Sequence, residues 1–311
     1  MKKLISIAAL TLSASAAFAA DLPSRKEPPV LPPPPPPPMW TGFYVGLNAG
    51  YTWGASNNLN VASPLAYLSP AASSIGESAA YAASAAGTVG SLSVGNSGFI
   101  GGGQVGYSLQ FQEKFVVGLE ADIQGIASGS SRATTASAAP WGDFFLSGQT
   151  TSVQAVSRSV DYLGTVRGRV GYLVIPTLLA YATGGLAYGG VELNAAMIQS
   201  DAPAAFNVTS SWGASSAYSN TRAGWTVGGG LEWMFWPNWS AKVEYLYYDL
   251  GSARVNLGTA GRFYNENDPN SGSPYALYAP FASARFNGQL VRAGVNYHFN
   301  WASSAPVLAK Y

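Results

Sequence analysis

The 311-residue chain balances 16 Lys and Arg against 15 Asp and Glu, leaves a net charge of +1 and is only 10% charged, which argues against a nucleic-acid partner. It has no cysteine, so disulfide frameworks, a lipid anchor on cysteine and thiolate metal sites are excluded. With 36 glycines and 13% aromatics it fits an aromatic-rich β architecture, and after the leader no stretch approaches the roughly 18 apolar residues of a spanning helix.

Residues 1–20 read as a secretory signal peptide. Met1-Lys2-Lys3 precedes an apolar run from Leu4 to Leu12, and Ala17-Phe18-Ala19 is an A-x-A site, with cleavage after Ala19 or Ala20. Residues 21–39 form a proline-rich periplasmic linker. Its unbroken run Pro32 to Pro38 cannot donate backbone hydrogen bonds and adopts polyproline II, a stiff tether of about 3.1 Å per residue. Two readings of the linker stay open: a spacer with no partner, or an arm that contacts peptidoglycan or another envelope component.

Barrel sequence occupies residues 40–300. Strand one alternates Phe43, Val45, Leu47, Ala49, Tyr51 and Trp53 with Tyr44, Gly46, Asn48, Gly50 and Thr52. A long Ala/Ser/Gly/Asn loop from Ala55 to Ser97 leads to strand two, Phe99 to Phe111. Gln112-Glu113-Lys114 turns the chain tightly into strand three, Phe115 to about Ile126. A second Ser/Thr/Gly-rich loop, Ala127 to Arg158, leads to strand four, Val160 to Val174. Ile175-Pro176-Thr177 turns into strand five, Leu178 to about Leu193, where both faces are apolar or glycine and the pattern leaves the inward side open. Loop three is Asn194 to Thr221, strand six Ala223 to Phe235, and Trp236-Pro237-Asn238 the third tight turn. Strand seven runs from Trp239 to Leu250, loop four from Gly251 to about Phe286, and strand eight from Gln289 to Phe299. A ten-stranded alternative requires Val61 to Leu68 to pair with Tyr275 to Ala284. Residues 301–311 follow as a C-terminal periplasmic tail.

Two patterns point to a membrane rather than a soluble sandwich. Connections alternate long and short, as in an antiparallel outer-membrane barrel with long extracellular loops, tight periplasmic turns and an even strand count. On strand after strand, charge and glycine share the face opposite the large apolar residues. The predicted inward set is Glu120, Asp122, Arg167, Arg169, Glu232, Lys242, Glu244 and Arg292. Charges inside a soluble sandwich are costly, whereas a closed strand cylinder in lipid requires apolar residues outside and admits polar ones within. Aromatics near the turns, Phe111, Phe115, Tyr172, Phe235, Trp239, Tyr297 and Phe299, are placed to form a periplasmic girdle.

The signal peptide, Ala20-Asp-Leu-Pro23, the proline-rich spacer, Trp40-Thr-Gly-Phe-Tyr-Val-Gly-Leu-Asn-Ala-Gly-Tyr51 and Gly294-Val-Asn-Tyr-His-Phe299 together resemble the alphaproteobacterial outer-membrane β-barrel proteins of the porin family. The resemblance covers the whole chain and implies an OmpA-like, eight-stranded transmembrane barrel in the outer membrane, with its lipid and the barrel assembly machinery as partners. Related barrels end on an aromatic of the last strand; here Asn300 to Tyr311 follows Phe299, so either Phe299 acts internally as the assembly signal or Tyr311 does.

The remaining motifs carry little chemistry. Gly101-Gly-Gly-Gln-Val-Gly106 matches G-x-G-x-x-G, but Tyr107 to Phe111 continues it as strand rather than helix, so no dinucleotide site is expected. His298 is the only histidine, which rules out a paired-histidine zinc site within one chain. Asn265 to Gly272 lacks the spaced carboxylates of a calcium loop. No cofactor, metal or catalysis is expected. The function these residues point to is a structural, surface-exposed scaffold. One alternative is a small-solute channel lined by the inward charges. Another is a surface binding protein, for example for haem held by loop tyrosines such as Tyr67, Tyr81, Tyr264, Tyr275 or Tyr278. In a bore as narrow as eight strands allow, mutual pairing of the charges is favoured over conduction.

Overall fold

A computed structural model describes residues 39–68, 86–129, 131–142, 147–203, 210–258, 260–263 and 274–299. The leader, residues 21–38 of the linker and the tail from residue 300 lie outside the described residues. In chain order the first strands are β1 (Gly42–Gly54), β2 (Asn58–Ala62), β3 (Leu65–Leu68), β4 (Gly90–Ser93), β5 (Ser97–Phe111), β6 (Phe115–Ser128) and β7 (Ser131–Gly142). They are followed by β8 (Ser147–Ile175), β9 (Leu178–Pro203), β10 (Ser210–Trp236), β11 (Trp239–Asn256), β12 (Ala260–Phe263), β13 (Pro274–Tyr278) and β14 (Phe281–Phe299).

Eight of these form a closed antiparallel ring in the order β1-β5-β6-β8-β9-β10-β11-β14. The seam closes from Phe43 opposite Phe299 to Gly54 opposite Gly288. Closure matters because no water is available in hydrocarbon to satisfy a free strand edge. The hairpin turns at one end are tight and use left-handed backbone, at Gln112 and Glu113 (φ 48° and 60°) and at Asn238 (φ 69°), the conformation that lets two- and three-residue connections follow the twist of their strands.

The lateral surface is inverted relative to a soluble protein. Leu119 and Leu231 are 67% and 53% exposed, while Glu120, Arg167 and Arg292 are no more than 1% exposed. Aromatic contacts mark the two rims of this apolar wall. At the turn end Phe115 meets Tyr172 at 5.6 Å and Trp239 meets Tyr297 at 5.2 Å. At the other, Tyr51 meets Phe99 and Trp225 meets Tyr247, both at 5.3 Å. Trp225 and Phe235 are ten residues apart on β10, which at about 3.3 Å per residue and a tilt of about 40° spans roughly 25 Å, the height of a barrel's apolar band.

The segments expected as long loops are largely strand, which corrects their boundaries. Only the eight-stranded part lies in the wall; beyond Trp225 the strands run on. β8 begins at Ser147 and pairs with β7 as a hairpin from Ser131 opposite Arg158 to Gly142 opposite Ser147, within the predicted second loop. β9 and β10 stay paired up to Asp201 opposite Ser210, across most of the predicted third loop. β14 starts at Phe281 and pairs there with β2, which in turn pairs with β4. The segments of the ten-stranded alternative do pair, β13 with β3 and β14 with β2, but outside the ring, which keeps eight strands.

These extensions form two leaves, β7-β8-β9-β10 and β4-β2-β14-β11, whose inner faces share one apolar cluster. Val156, Val160, Val191, Leu193 and Met197 from the first leaf meet Leu59, Val61, Leu92, Val255 and Phe286 from the second. Two features hid this cap from the sequence. Its outer face is Ser, Thr and Ala, so the period-two contrast is weak. In addition, a register shift between Val160 and Tyr162 moves the inward parity from even residues (Val156, Arg158, Val160) to odd ones (Leu163, Thr165, Arg167). The burial along β9 also settles its inward face, which carries Leu179, Tyr181, Thr183, Ala187, Val191 and Leu193.

Because the cap is a packed core and not a set of loops, its amides in residues 191–197 and 282–286 are expected to resist hydrogen exchange about as well as those of the membrane wall. Exchange of these amides within seconds in the folded, lipid-embedded protein would show that the extensions are not paired.

Candidate functional site

Strand alternation delivers the eight predicted charges to the interior, and the register sets them against one another. Glu120 lies opposite Arg167, Glu232 opposite Lys242, and Glu244 opposite Arg292 on neighbouring strands, three direct cross-strand pairs of opposite charge. Arg167 is the hub. Its Nη1 donates to Glu244 Oε1 at 2.8 Å, its Nη2 to Asp122 Oδ2 at 2.9 Å and to Glu120 Oε1, and its Nε to Thr165 Oγ1 at 2.9 Å. Arg292 donates to Glu244 Oε2 at 2.7 Å and to Asp122 Oδ2 at 2.9 Å. Lys242 Nζ reaches both oxygens of Glu120, at 2.9 and 3.0 Å. Arg169 donates to Glu232 Oε2 at 2.6 Å. Four carboxylates thus meet four cations, and the structure brings all eight together.

Sequence reasoning missed the neutral members of this network. Tyr44 accepts from Arg169 Nη1 at 2.8 Å and donates to Glu120 Oε2 at 2.7 Å. Tyr181 donates to Glu244 Oε1 at 3.2 Å, and the Arg169 guanidinium lies 4.0 Å from the centre of its ring. Asn48 donates to Gln104 at 3.1 Å, Gln104 to Asn296, and Asn296 to Glu232 at 2.7 Å. A signal for Tyr44 was available: it pairs with Gly106 across β1 and β5, and a Cβ at Gly106 would sit 2.3 Å from the tyrosine ring, so the glycine makes room for the ring to cross the bore. With these residues, every strand of the ring contributes a side chain to the network.

A family profile described as "Outer membrane protein beta-barrel domain" matches residues 5–299. The chain belongs to this outer-membrane β-barrel family. It is 32% identical over 300 residues to the 31 kDa outer-membrane immunogenic protein of Brucella melitensis biotype 1, covering 96% of this chain and all of that one. It is 33% identical over 175 residues to the 22 kDa outer membrane protein of Rhizobium leguminosarum bv. viciae, covering 55% of this chain and 64% of the relative. Among solved structures, OprG of Pseudomonas aeruginosa aligns over 83% of this chain and 97% of its own at 9% identity, with a TM-score of 0.35. The family profile and the Brucella and Rhizobium relatives place the barrel in the outer membrane, with its apolar wall against lipid.

In this outer-membrane barrel an apolar cluster flanks the charged layer on each side. On the side of the tight turns Trp40, Val116, Leu173, Leu179 and Met234 form an apolar cluster, and the Trp40 indole N–H donates to Pro176 O at 3.0 Å. His298 stands beside it, its ring centre 5.8 Å from that of Trp40. His298 Nε2 is 2.9 Å from Ser240 Oγ, which donates to Glu232 Oε1 at 2.6 Å. The trio is not a nucleophile relay. The serine proton is committed to the acid, the acid approaches the same Nε2 that faces the serine (3.4 Å), and all three residues are buried.

On the outer side, Arg158 is buried where bore and cap meet. It donates to Arg285 O at 3.1 Å, Ser56 O at 2.8 Å and Asn57 Oδ1 at 3.2 Å, so it fastens the chain after β1 and the start of β14 to β8. Burial lowers its pKa from the ordinary arginine value, because its partners are neutral oxygens. Gln154 similarly holds Thr88 O at 2.7 Å. Among the described residues no group of three His, Asp or Glu could hold a metal ion. Of the tyrosines considered for haem, Tyr81 and Tyr264 lie outside the described residues, as do the side chains of Tyr67 and Tyr275, and Tyr278 is buried.

Removing the hub leaves three buried acids short of a partner. Arg167→Ala is expected to cost about 3–5 kcal/mol, read as a lowered urea midpoint for unfolding in lipid, whereas Glu113→Ala in an exposed turn should leave the midpoint unchanged. Equal midpoints for the two variants would remove the network from the account of stability.

Proposed function

We propose that this chain is a sealed outer-membrane scaffold. It fixes a rigid β cap on the cell surface, and it neither conducts solutes nor catalyses a reaction. The observation that carries this reading is the interior layer in which Arg167 bridges Glu120, Asp122 and Glu244 from two other strands. Conduction needs groups that bind an ion and release it. Here each charge is already satisfied by a fixed neighbour, the layer sums to zero charge, and apolar clusters close the bore above and below it. An eight-stranded interior is just wide enough to be filled by its own side chains. The scaffold reading extends to the cap the surface exposure implied by the name of the Brucella relative, an outer-membrane immunogenic protein.

Purified refolded protein in planar bilayers is expected to give no discrete conductance steps at any polarity. Reproducible steps from the wild-type chain would sink the sealed-bore reading in favour of a small-solute channel. The cap's exposure is tested separately. The chain has no cysteine, so Ser215→Cys on the outer face of β10 should react with a membrane-impermeant maleimide on intact cells. Asn238→Cys in a periplasmic turn should react only after the outer membrane is broken.

A further inference from the structure

Above the outer aromatic rim, the exterior of β11 and β14 changes character within a few residues. Tyr245 donates to Gln289 Oε1 at 2.8 Å, and Asn287 donates to the Tyr247 hydroxyl at 3.1 Å. Two arginines stand directly above. Arg285 is in register beside Ser252 and Arg254 beside Ser283, which makes the two residues diagonal neighbours on one outward face. Taking Asn287 as the rim, Arg285 lies two residues and Arg254 four residue levels higher. At about 3.3 Å per residue and a tilt of about 40°, these are heights of roughly 5 and 10 Å, within and just above a headgroup layer.

The two side chains are held differently. Arg285 donates to Asp249 Oδ2 through Nε at 3.1 Å and Nη2 at 2.5 Å, yet its side chain remains 56% exposed. Asp249 itself is buried, its other oxygen accepting from Gly251 N at 2.8 Å. Arg254 is exposed; its guanidinium carbon lies 3.3 Å from the centre of the Phe281 ring, and its Nε donates to Asn256 Oδ1 at 3.2 Å. Among the described residues no carboxylate pairs with Arg254. Among the residues whose side chains are described, the acids Asp161 and Glu192 are on β8 and β9, in the other leaf of the cap. Among the described residues, the outward charged side chains of this part of β11 and β14 are Arg254 and Arg285, with the buried Asp249 paired to Arg285.

We propose, on the reading that the cap lies at the cell surface, that Arg254 stacked on Phe281, Arg285 below it on the same face and the polar side chains of Ser252 and Ser283 alongside bind the phosphorylated sugar headgroup of an outer-leaflet glycolipid. The planar guanidinium fork matches phosphate oxygens, and an aromatic ring supplies an apolar platform for a sugar face. The occupant is a lipid rather than a free anion because the face continues downward, without a break, into the lipid-facing wall of Tyr247, Tyr245, Val243 and Val291. An amphiphile with a phosphate at one end and acyl chains at the other complements the whole strip.

The test uses the full chain in phosphatidylcholine nanodiscs containing a minor fraction of diphosphoryl lipid A, with retained glycolipid counted by native mass spectrometry. Wild type should retain it, and Arg254→Gln should weaken retention roughly tenfold, the scale of losing one charge-assisted contact. Arg254→Gln changes only an exposed side chain, and its heat-modifiable gel shift verifies that it is folded. Arg132→Gln, an exposed arginine of the other leaf, should retain lipid as wild type does. A dephosphorylated lipid A should bind wild type no better than diphosphoryl lipid binds Arg254→Gln. Excess inorganic phosphate should leave the lipid in place. Equal retention by wild type and Arg254→Gln, equal loss in Arg132→Gln, or displacement by inorganic phosphate would each overturn the assignment.

Discussion

Glu120 accepts from Arg167 on β8, Lys242 on β11 and Tyr44 on β1, so one carboxylate ties β6 to three strands across the bore. That arrangement answers a constraint set by the lipid outside. A strand in hydrocarbon must turn apolar side chains outward, and in a cylinder of eight strands what remains points into a space too small for bulk water. Charges placed there are stable only when each is surrounded by partners. The balance of four acids with four cations, and the tyrosine and amide side chains that bond to them, follow from that one requirement.

The same reasoning explains why the interior changes chemistry partway along single strands. On β9, Thr183 faces the bore while Ala182 and Leu186 face lipid; a few residues further on, Val191, Leu193 and Met197 face inward while Glu192 and Asn194 face outward. The pleat has not changed along β9. What changes is the medium outside, from hydrocarbon to water, and the apolar side of the strand moves from the outside to the inside with it. Below the outer rim the chain is an inverted protein, and above it an ordinary β sandwich with a buried apolar core. The two share strands, so the cap is positioned by the wall and needs no separate linker.

This division also sets what the sequence could reveal. The wall was legible because large apolar residues such as Leu119, Val166, Leu231 and Val295 alternate with charge and glycine, a contrast visible without knowing the medium. The three tight turns at Gln112-Glu113-Lys114, Pro176-Thr177 and Pro237-Asn238 fixed the strand order. The cap was read as loops because its contrast is muted: Ala195 against Ala196, or Ser152 against Val153, gives no preferred face. The bulge near Asp161 then places the two halves of β8 out of phase. Within the bore, acidic and basic positions could be named from alternation, but their pairings depend on strand stagger, which brings Arg292 of β14 to Asp122 of β6. Tyr44 and Tyr181 escaped notice because aromatic residues in a barrel suggest a rim before they suggest a hydrogen-bond donor in the bore.

The network has a further consequence for assembly. Tyr44 comes from the first strand of the ring, and Arg292 and Asn296 come from the last. Glu244 of β11 takes Arg292 as a direct neighbour, whereas Glu120 takes Tyr44 from two strands away through β5. Before β1 meets β14, an open sheet would hold Arg169 without Tyr44, and Asp122 without Arg292, each exposed to a medium that cannot solvate it. Closure satisfies these groups together with the twelve register pairs of the seam from Phe43 to Gly54. Backbone pairing and charge pairing therefore favour the same event, and an unclosed intermediate in lipid is penalised by both. Charge pairing thus makes the interior part of what holds the barrel shut.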